Sequence, residues 1–167
     1  RCYTLLHQLQ KIDTSKVLVT CNEAQIYPDF GIKYDRILAD VPCSGDGTVR
    51  KDINVGARWR PNRSQAMHGL QKAILKRGLQ LLKVGGTLVY STCSMNPVEN
   101  EAVISSAIAE IGADKVEIAD VSSMFPELKR CRGFSKWPVY TVDKENPGTM
   151  IKFDKYEEVP EKLRAQS

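Results

Sequence analysis

Two short apolar, β-branched runs, residues 34–41 (YDRILADV) and 87–92 (TLVYST), enclose a segment of helical periodicity. Within residues 61–83, Leu70, Ile74, Leu75, Leu79 and Leu82 recur at helical spacings, and Gly85-Gly86 follow as a stop signal. This is the pattern of a strand, a crossover helix and a second, parallel strand. Two further runs, residues 16–21 (KVLVTC) and 116–121 (VEIADV), read as additional strands. Another helix is expected over 98–111, introduced by Asn96-Pro97, with Glu99 and Glu101 near its positive end. The alternation predicts an α/β fold with a mostly parallel sheet, whose ligands bind beyond the carboxyl ends of the strands.

Both enclosing strands run out into unusual chemistry. The first ends in Asp40-Val41-Pro42-Cys43-Ser44-Gly45-Asp46-Gly47-Thr48, the second in Tyr90-Ser91-Thr92-Cys93-Ser94-Met95-Asn96-Pro97. An acid, a proline and two thiols at neighbouring strand ends suggest a single site. Pro42 stiffens its turn, while Gly45 and Gly47 allow backbone conformations and close approaches closed to other residues. Taken singly, each cysteine also reads as a small buried hydrophobe at a tight turn.

The chain has 167 residues, enough for one domain with a sizeable core, and no apolar run approaches the roughly 18–20 residues of a membrane span. Five widely spaced cysteines with no C-x-x-C pair, and only two histidines, argue against structural zinc and against a disulfide framework. His7 and His68 fall in helical contexts away from both tips, so a Cys-His hydrolase has little support. The net charge of +4 is compatible with a polyanionic partner. Arg50, Lys51, Arg58, Arg60 and Arg63, with Trp59 among them, follow the first tip and read as a cationic, stacking edge for nucleic acid. Lys129, Arg130, Arg132, Lys136 and Trp137 extend that reading.

The motifs DVPCSGDGT (40–48) and YSTCSMNPVENE (90–101) resemble the two cysteine motifs of the Nop2/Sun family of RNA cytosine-5 methyltransferases, in particular its eukaryotic tRNA branch. The likeness runs from Arg1-Cys2-Tyr3 through His68-Gly69-Leu70-Gln71 to about Trp137. It implies a Rossmann-like class I methyltransferase fold, S-adenosyl-L-methionine as cofactor, RNA as partner with tRNA the expected kind, no metal, and a monomer when complete. By the same resemblance Cys93 would attack C6 of cytosine, Cys43 would assist its release, and Asp40 would hold the base and lie near the cofactor. Glu23 would stand where the family carries an acidic cofactor contact. Pro42, Ser44, Arg50 and Lys51 would contact substrate. The family's DNA-methylating relatives use the Pro-Cys cysteine for attack, which here would be Cys43; the second thiol argues against that assignment.

The family's glycine-rich cofactor loop and acidic ribose contact would precede Arg1. Residues 1–123 are accordingly expected to be the C-terminal portion of a methyltransferase domain incomplete at its N-terminus. Residues 124–167 would be a terminal strand or hairpin region with a charged tail. A second reading is an RNA-binding segment that does not itself hold S-adenosylmethionine. Nuclear or nucleolar residence is implied by the resemblance alone, with a cytoplasmic location as the alternative.

Overall fold

The computed structural model describes residues 2–12, 16–146 and 148–164. Arg1, Pro147 of the expected hairpin region, and residues 165–167 of the charged tail lie outside the described residues. The chain begins with a short helix, α1 (Cys2–Leu9), none of whose residues is buried. The central unit follows: β1 (Tyr34–Asp40), α2 (Ile53–Arg58), α3 (Pro61–Leu81), β2 (Leu82–Ser91) and α4 (Glu101–Ile111). A hairpin of β3 (Val139–Val142) and β4 (Met150–Phe153) and a final turn of helix, α5 (Glu161–Arg164), complete it.

β1 and β2 pair in parallel, with Ile37 opposite Leu88, Leu38 opposite Val89 and Asp40 opposite Ser91. The crossover is α3, which Pro61 starts with its φ already near the helical value. Ile74 packs against Ala39 and Val41 of the first strand and its extension. Leu75 packs against Val103 and Ala107 of α4. Leu88 and Tyr90 touch both groups, so the sheet, α3 and α4 form one continuous core. Full burial of a side chain such as Val103 or Leu75 contributes about 1.5–3 kcal/mol.

The expected glycine stop falls elsewhere. α3 passes directly into β2 at Leu82, whose backbone is already extended, and Gly85-Gly86 lie inside β2. There the register slips, Tyr34 pairing with Leu82 but Arg36 with Thr87. Gly85 takes φ +77°, and a Cβ on Gly86 would lie 2.9 Å from the carbonyl oxygens of Asp35 and Lys83. The glycine pair therefore accommodates a bulge instead of ending a helix.

Two expected strands do not form. Residues 16–21 and 116–121 lie outside any strand, and among the described residues the parallel sheet consists of β1 and β2 alone. A β-branched run becomes a strand only when a neighbour accepts its backbone hydrogen bonds, and neither run has one here. The second expected helix begins at Glu101, three residues later than its pattern suggested, because Pro97–Glu99 forms a separate 3₁₀ turn.

The late hairpin is antiparallel, with Val139 opposite Phe153 and Val142 opposite Met150. Val139 packs with Val159 and Leu163, supported by Trp137 and Phe153. The Gln65 side chain on α3 donates to the Tyr140 carbonyl and ties the hairpin to the central unit. No helix among the described residues is long and apolar enough to cross a membrane.

Candidate active site

Because β1 and β2 are parallel and in register at Asp40 and Ser91, their carboxyl ends emerge side by side. The ladder continues one step further, with the Val41 amide donating to the Ser91 carbonyl at 3.0 Å. The Ser91 hydroxyl donates to Asp40 Oδ1 at 2.7 Å. Immediately beyond, Cys43 Sγ and Cys93 Sγ stand 3.0 Å apart. Fifty residues of separation in sequence thus close to a sulfur–sulfur contact. Cys43 is half-buried and Cys93 exposed. Burial, and then the hydrogen bond to Cys93, push the Cys43 thiol up to about 11. Cys43 therefore keeps its proton at neutral pH.

The loops carrying the thiols are fastened to each other. In the first, Gly45 takes φ +76° before the 3₁₀ turn Asp46–Thr48, and the Thr48 hydroxyl donates to the Gly45 carbonyl at 2.7 Å. The Gly47 amide donates to the Cys93 carbonyl, and the Met95 amide to Asp46 Oδ1, both at 3.0 Å. Within the second loop, Asn100 Nδ2 donates to the carbonyls of Ser94 and Asn96, and the Thr92 hydroxyl donates to Asn100 Oδ1.

Beneath both loops lies Glu99, which is fully buried. Its carboxylate accepts from the Ser44 amide at 2.8 Å, from Gln71 Nε2 at 2.9 Å, from the Ser94 hydroxyl at 2.9 Å and from the Ser44 hydroxyl. Burial, the largest single influence, drives the carboxyl up. The hydrogen bonds from Ser44, Gln71 and Ser64 together outweigh it and hold the group below the ordinary carboxylate value. Gln71 also donates to the Pro42 carbonyl at 2.9 Å, and the Tyr90 hydroxyl to the Glu99 carbonyl at 2.7 Å.

The structure thus brings together Asp40, Cys43 and Cys93 at the paired strand ends. Pro42 is exposed there, and Arg50 and Lys51 are exposed on the turn leading into α2. Ser44 is different from its expectation as a substrate contact. It is buried, and its hydroxyl is engaged by Glu99, Trp59 Nε1 and Ser64. Trp59 likewise turns its indole N–H inward to Ser44. Arg58 pairs with Asp52 at 3.4 Å, and Arg60 donates to the Ala57 and Trp59 carbonyls. Glu23 is exposed, accepts from Gln25 Nε2 at 2.8 Å and precedes the 3₁₀ turn Ala24–Ile26. Ala24 lines a cleft of about 430 Å³ together with Asp40, Val41, Pro42, Ile74 and Leu81. Among the described residues no group of three or more His, Cys, Asp or Glu is arranged to hold a metal.

Glu99 is the buried carboxylate that sequence reasoning undervalued, since a carboxylate at a helix start reads as a dipole partner. A signal was present: each cysteine is followed by a serine, Cys43-Ser44 and Cys93-Ser94, and both serines donate to Glu99.

Residues 1–136 match the family model described as 16S rRNA methyltransferase RsmB/F. The chain belongs to this family. Among RsmB/F-related proteins, the multisite-specific tRNA:(cytosine-C(5))-methyltransferase of Saccharomyces cerevisiae is 44% identical over 84% of the chain. The tRNA (cytosine(34)-C(5))-methyltransferase of Drosophila melanogaster is 38% identical over 98%. The ribosomal RNA small subunit methyltransferase F of Shewanella pealeana is 34% identical over 80%. The chain spans 22% of the length of the first two and 28% of the third. A solved methyltransferase homologue from Pyrococcus horikoshii superposes with a TM-score of 0.51 at 33% identity, covering 64% of this chain and 32% of that one. The fold is accordingly the Rossmann-like class I methyltransferase fold, and the resemblance read from the two cysteine motifs is met.

Proposed function

We propose that this chain supplies the two-thiol part of a site that methylates C5 of cytosine in RNA, with tRNA as the substrate. The observation that carries the reading is the 3.0 Å approach of Cys43 and Cys93 at the paired ends of β1 and β2. The names of the tRNA-modifying relatives support the choice of RNA.

C5 of cytosine is a weak carbon nucleophile until a group adds to C6. Cys93, the exposed thiol, is the attacking group, and addition as thiolate gives an enamine-like ring. S-adenosylmethionine, when bound, supplies the methyl group taken by C5. The C5 proton then passes to solvent water, its bonding pair re-forms the C5–C6 double bond, and Cys93 departs as thiolate. Cys43, which retains its own proton, is within hydrogen-bond distance of the departing sulfur and assists release. Asp40, oriented by Ser91, accepts from the amino edge of the base, where a fixed acceptor is most useful as charge develops. Pro42 shapes the base pocket, and Arg50 and Lys51 meet phosphates. The base must be unstacked to reach the thiols, which suits loops and single-stranded positions of a folded RNA.

The residues fit the cofactor at one end of the cleft. The Asp40 carboxylate beside apolar Ile74 and Leu81 suits a cationic sulfonium next to an apolar body. Asp40 and Glu23 are the acidic groups that would hold it. Nuclear or nucleolar residence belongs to the same proposal and rests on the eukaryotic tRNA-branch resemblance.

The test is a covalent trap. The full-length protein is incubated with tRNA and S-adenosylmethionine, and Cys43→Ala and Cys93→Ala variants are compared on a denaturing gel. A protein–RNA adduct that accumulates in Cys43→Ala and disappears in Cys93→Ala is expected. The reverse pattern exchanges the roles. No adduct in either, with RNA still bound, favours an RNA-binding role without this chemistry.

A further inference from the structure

We propose that Glu99 is the positioning residue of the thiol pair, a single buried carboxylate that fixes the distance between Cys43 and Cys93 by holding the serine that follows each. The inference rests on the two-thiol reading above.

The geometry is unusually direct. Glu99 Oε1 accepts from both serine hydroxyls, Ser44 and Ser94, while Oε2 accepts from the Ser44 amide and Gln71 Nε2. Two of these donors belong to Ser44 and one to Ser94, the residues immediately after the thiols. Gln71 carries the constraint further, since the same amide group that meets Glu99 also donates to the Pro42 carbonyl, the residue before Cys43. The first thiol is thus held on both sides. Glu99 is itself anchored through its backbone by Tyr90 at the end of β2.

A charged acceptor is required because four donors converge on two oxygens. Hydrogen bonds to an ionised group are stronger than neutral ones, and a buried donor left without an acceptor is costly. In Glu99→Gln, one side-chain oxygen still meets the Ser44 amide and Gln71. The new NH₂ then faces the serine hydroxyls as a competing donor, and the Ser44 hydroxyl already accepts from Trp59. The link between the two serines is what this substitution removes. Glu99 touches neither thiol, so its effect on the reaction is exerted through the loops.

The experiment measures thiol spacing without RNA or cofactor. Diamide, an azo oxidant, takes two hydrogens from two thiols, forming one S–S bond and its hydrazine, and the Cys43–Cys93-linked peptide is quantified by mass spectrometry. In the full-length protein, Glu99→Gln is expected to slow this crosslink by about tenfold, as loss of charge-assisted hydrogen bonds would. Alkylation of the exposed Cys93 should change by less than about twofold, since its exposure is unaltered. Should Glu99→Gln unfold the protein, Ser94→Ala carries the test: it should slow the crosslink, and Ser94→Thr, which retains the hydroxyl, should restore it. A crosslinking rate equal to that of the natural protein in folded Glu99→Gln, or in Ser94→Ala, overturns the proposal. If crosslinking responds as expected but no RNA adduct forms in Cys43→Ala, Glu99 still positions the thiols and the methyl-transfer reading fails alone.

Discussion

Gly47 and Cys93 are joined main chain to main chain: the Gly47 amide donates to the Cys93 carbonyl at 3.0 Å. The approach leaves no room for a side chain. A Cβ on Gly47 would stand 2.7 Å from that carbonyl oxygen and 3.4 Å from its carbon. The glycine in Gly-Asp-Gly is thus a spacing device, and it sets how closely the second thiol loop lies on the first.

Gly47→Ala should push the loops apart. Overpacking of this kind typically costs about 1–3 kcal/mol, to be read from urea unfolding. The diamide crosslink between Cys43 and Cys93 should slow as well. Unchanged stability together with an unchanged crosslinking rate would refute the close-approach argument.

The two thiols should separate in an alkylation experiment. At pH 8, iodoacetamide is expected to label exposed Cys93 well before Cys43, whose labelling should rise only as pH approaches about 11. Because the folded value lies above the ordinary 9.0, the native state is favoured below that pH and loses this contribution as pH climbs from 9.0 towards about 11. Cys93→Ala removes the hydrogen bond but leaves the larger effect of burial. The Cys43 midpoint should therefore fall part-way and remain above 9.0. A midpoint unmoved by the substitution would contradict the contact.

His68 makes the protein sensitive to mild acid. It is buried, and its Nδ1–H donates to the Val98 carbonyl at 2.8 Å. Burial, aided by Lys72, lowers its pKa below 6.5, against smaller opposing effects of the Val98 hydrogen bond and Glu110. A depressed value means that the stabilisation is present above pH 6.5 and is lost as pH falls through the folded value. His68→Asn, which keeps a donor near the Nδ1 position, should lose less stability between pH 7 and pH 5 than the natural protein. Equal losses in urea unfolding would exonerate His68.

Lys72 and Lys76 of α3 both grip Glu110 of α4, each at 2.5 Å. Hydrogen bonds from the two lysines hold the Glu110 carboxyl at about 2. The cluster is nevertheless open to water, and exposed pairs are worth roughly 0–1 kcal/mol. Glu110→Gln should therefore cost less than about 1 kcal/mol and the cost should shrink in high salt. Leu75→Ala, in the core between the same helices, should cost about 2–5 kcal/mol. A reversed order would mean that charge and not packing joins α3 to α4.

The strand, helix, strand unit was legible because residues 34–92 carry their own partners: β1 pairs with β2, and α3 covers both. The thiol tips followed from it, since parallel strands place their ends together. Residues 16–21 and 116–121 have strand composition but no ladder, and composition cannot supply a neighbour. Ser44 and Trp59 were misleading for a related reason. A serine and an indole beside a pocket read as ligand contacts, yet each donates inward to a buried network. Glu99 read only as a helix-dipole partner because its burial depends on donors from 55 and 28 residues away as well as from its own loop.

The pairing of Asp40 with Ser91 has a consequence for biosynthesis. A slip of one residue between β1 and β2 would displace one thiol loop by about 3.3 Å and turn its side chains to the opposite face. The two sulfurs would then no longer meet. Their ability to meet is a molecular ruler of correct folding, and a chain whose thiols join readily has already threaded its sheet in the native alignment.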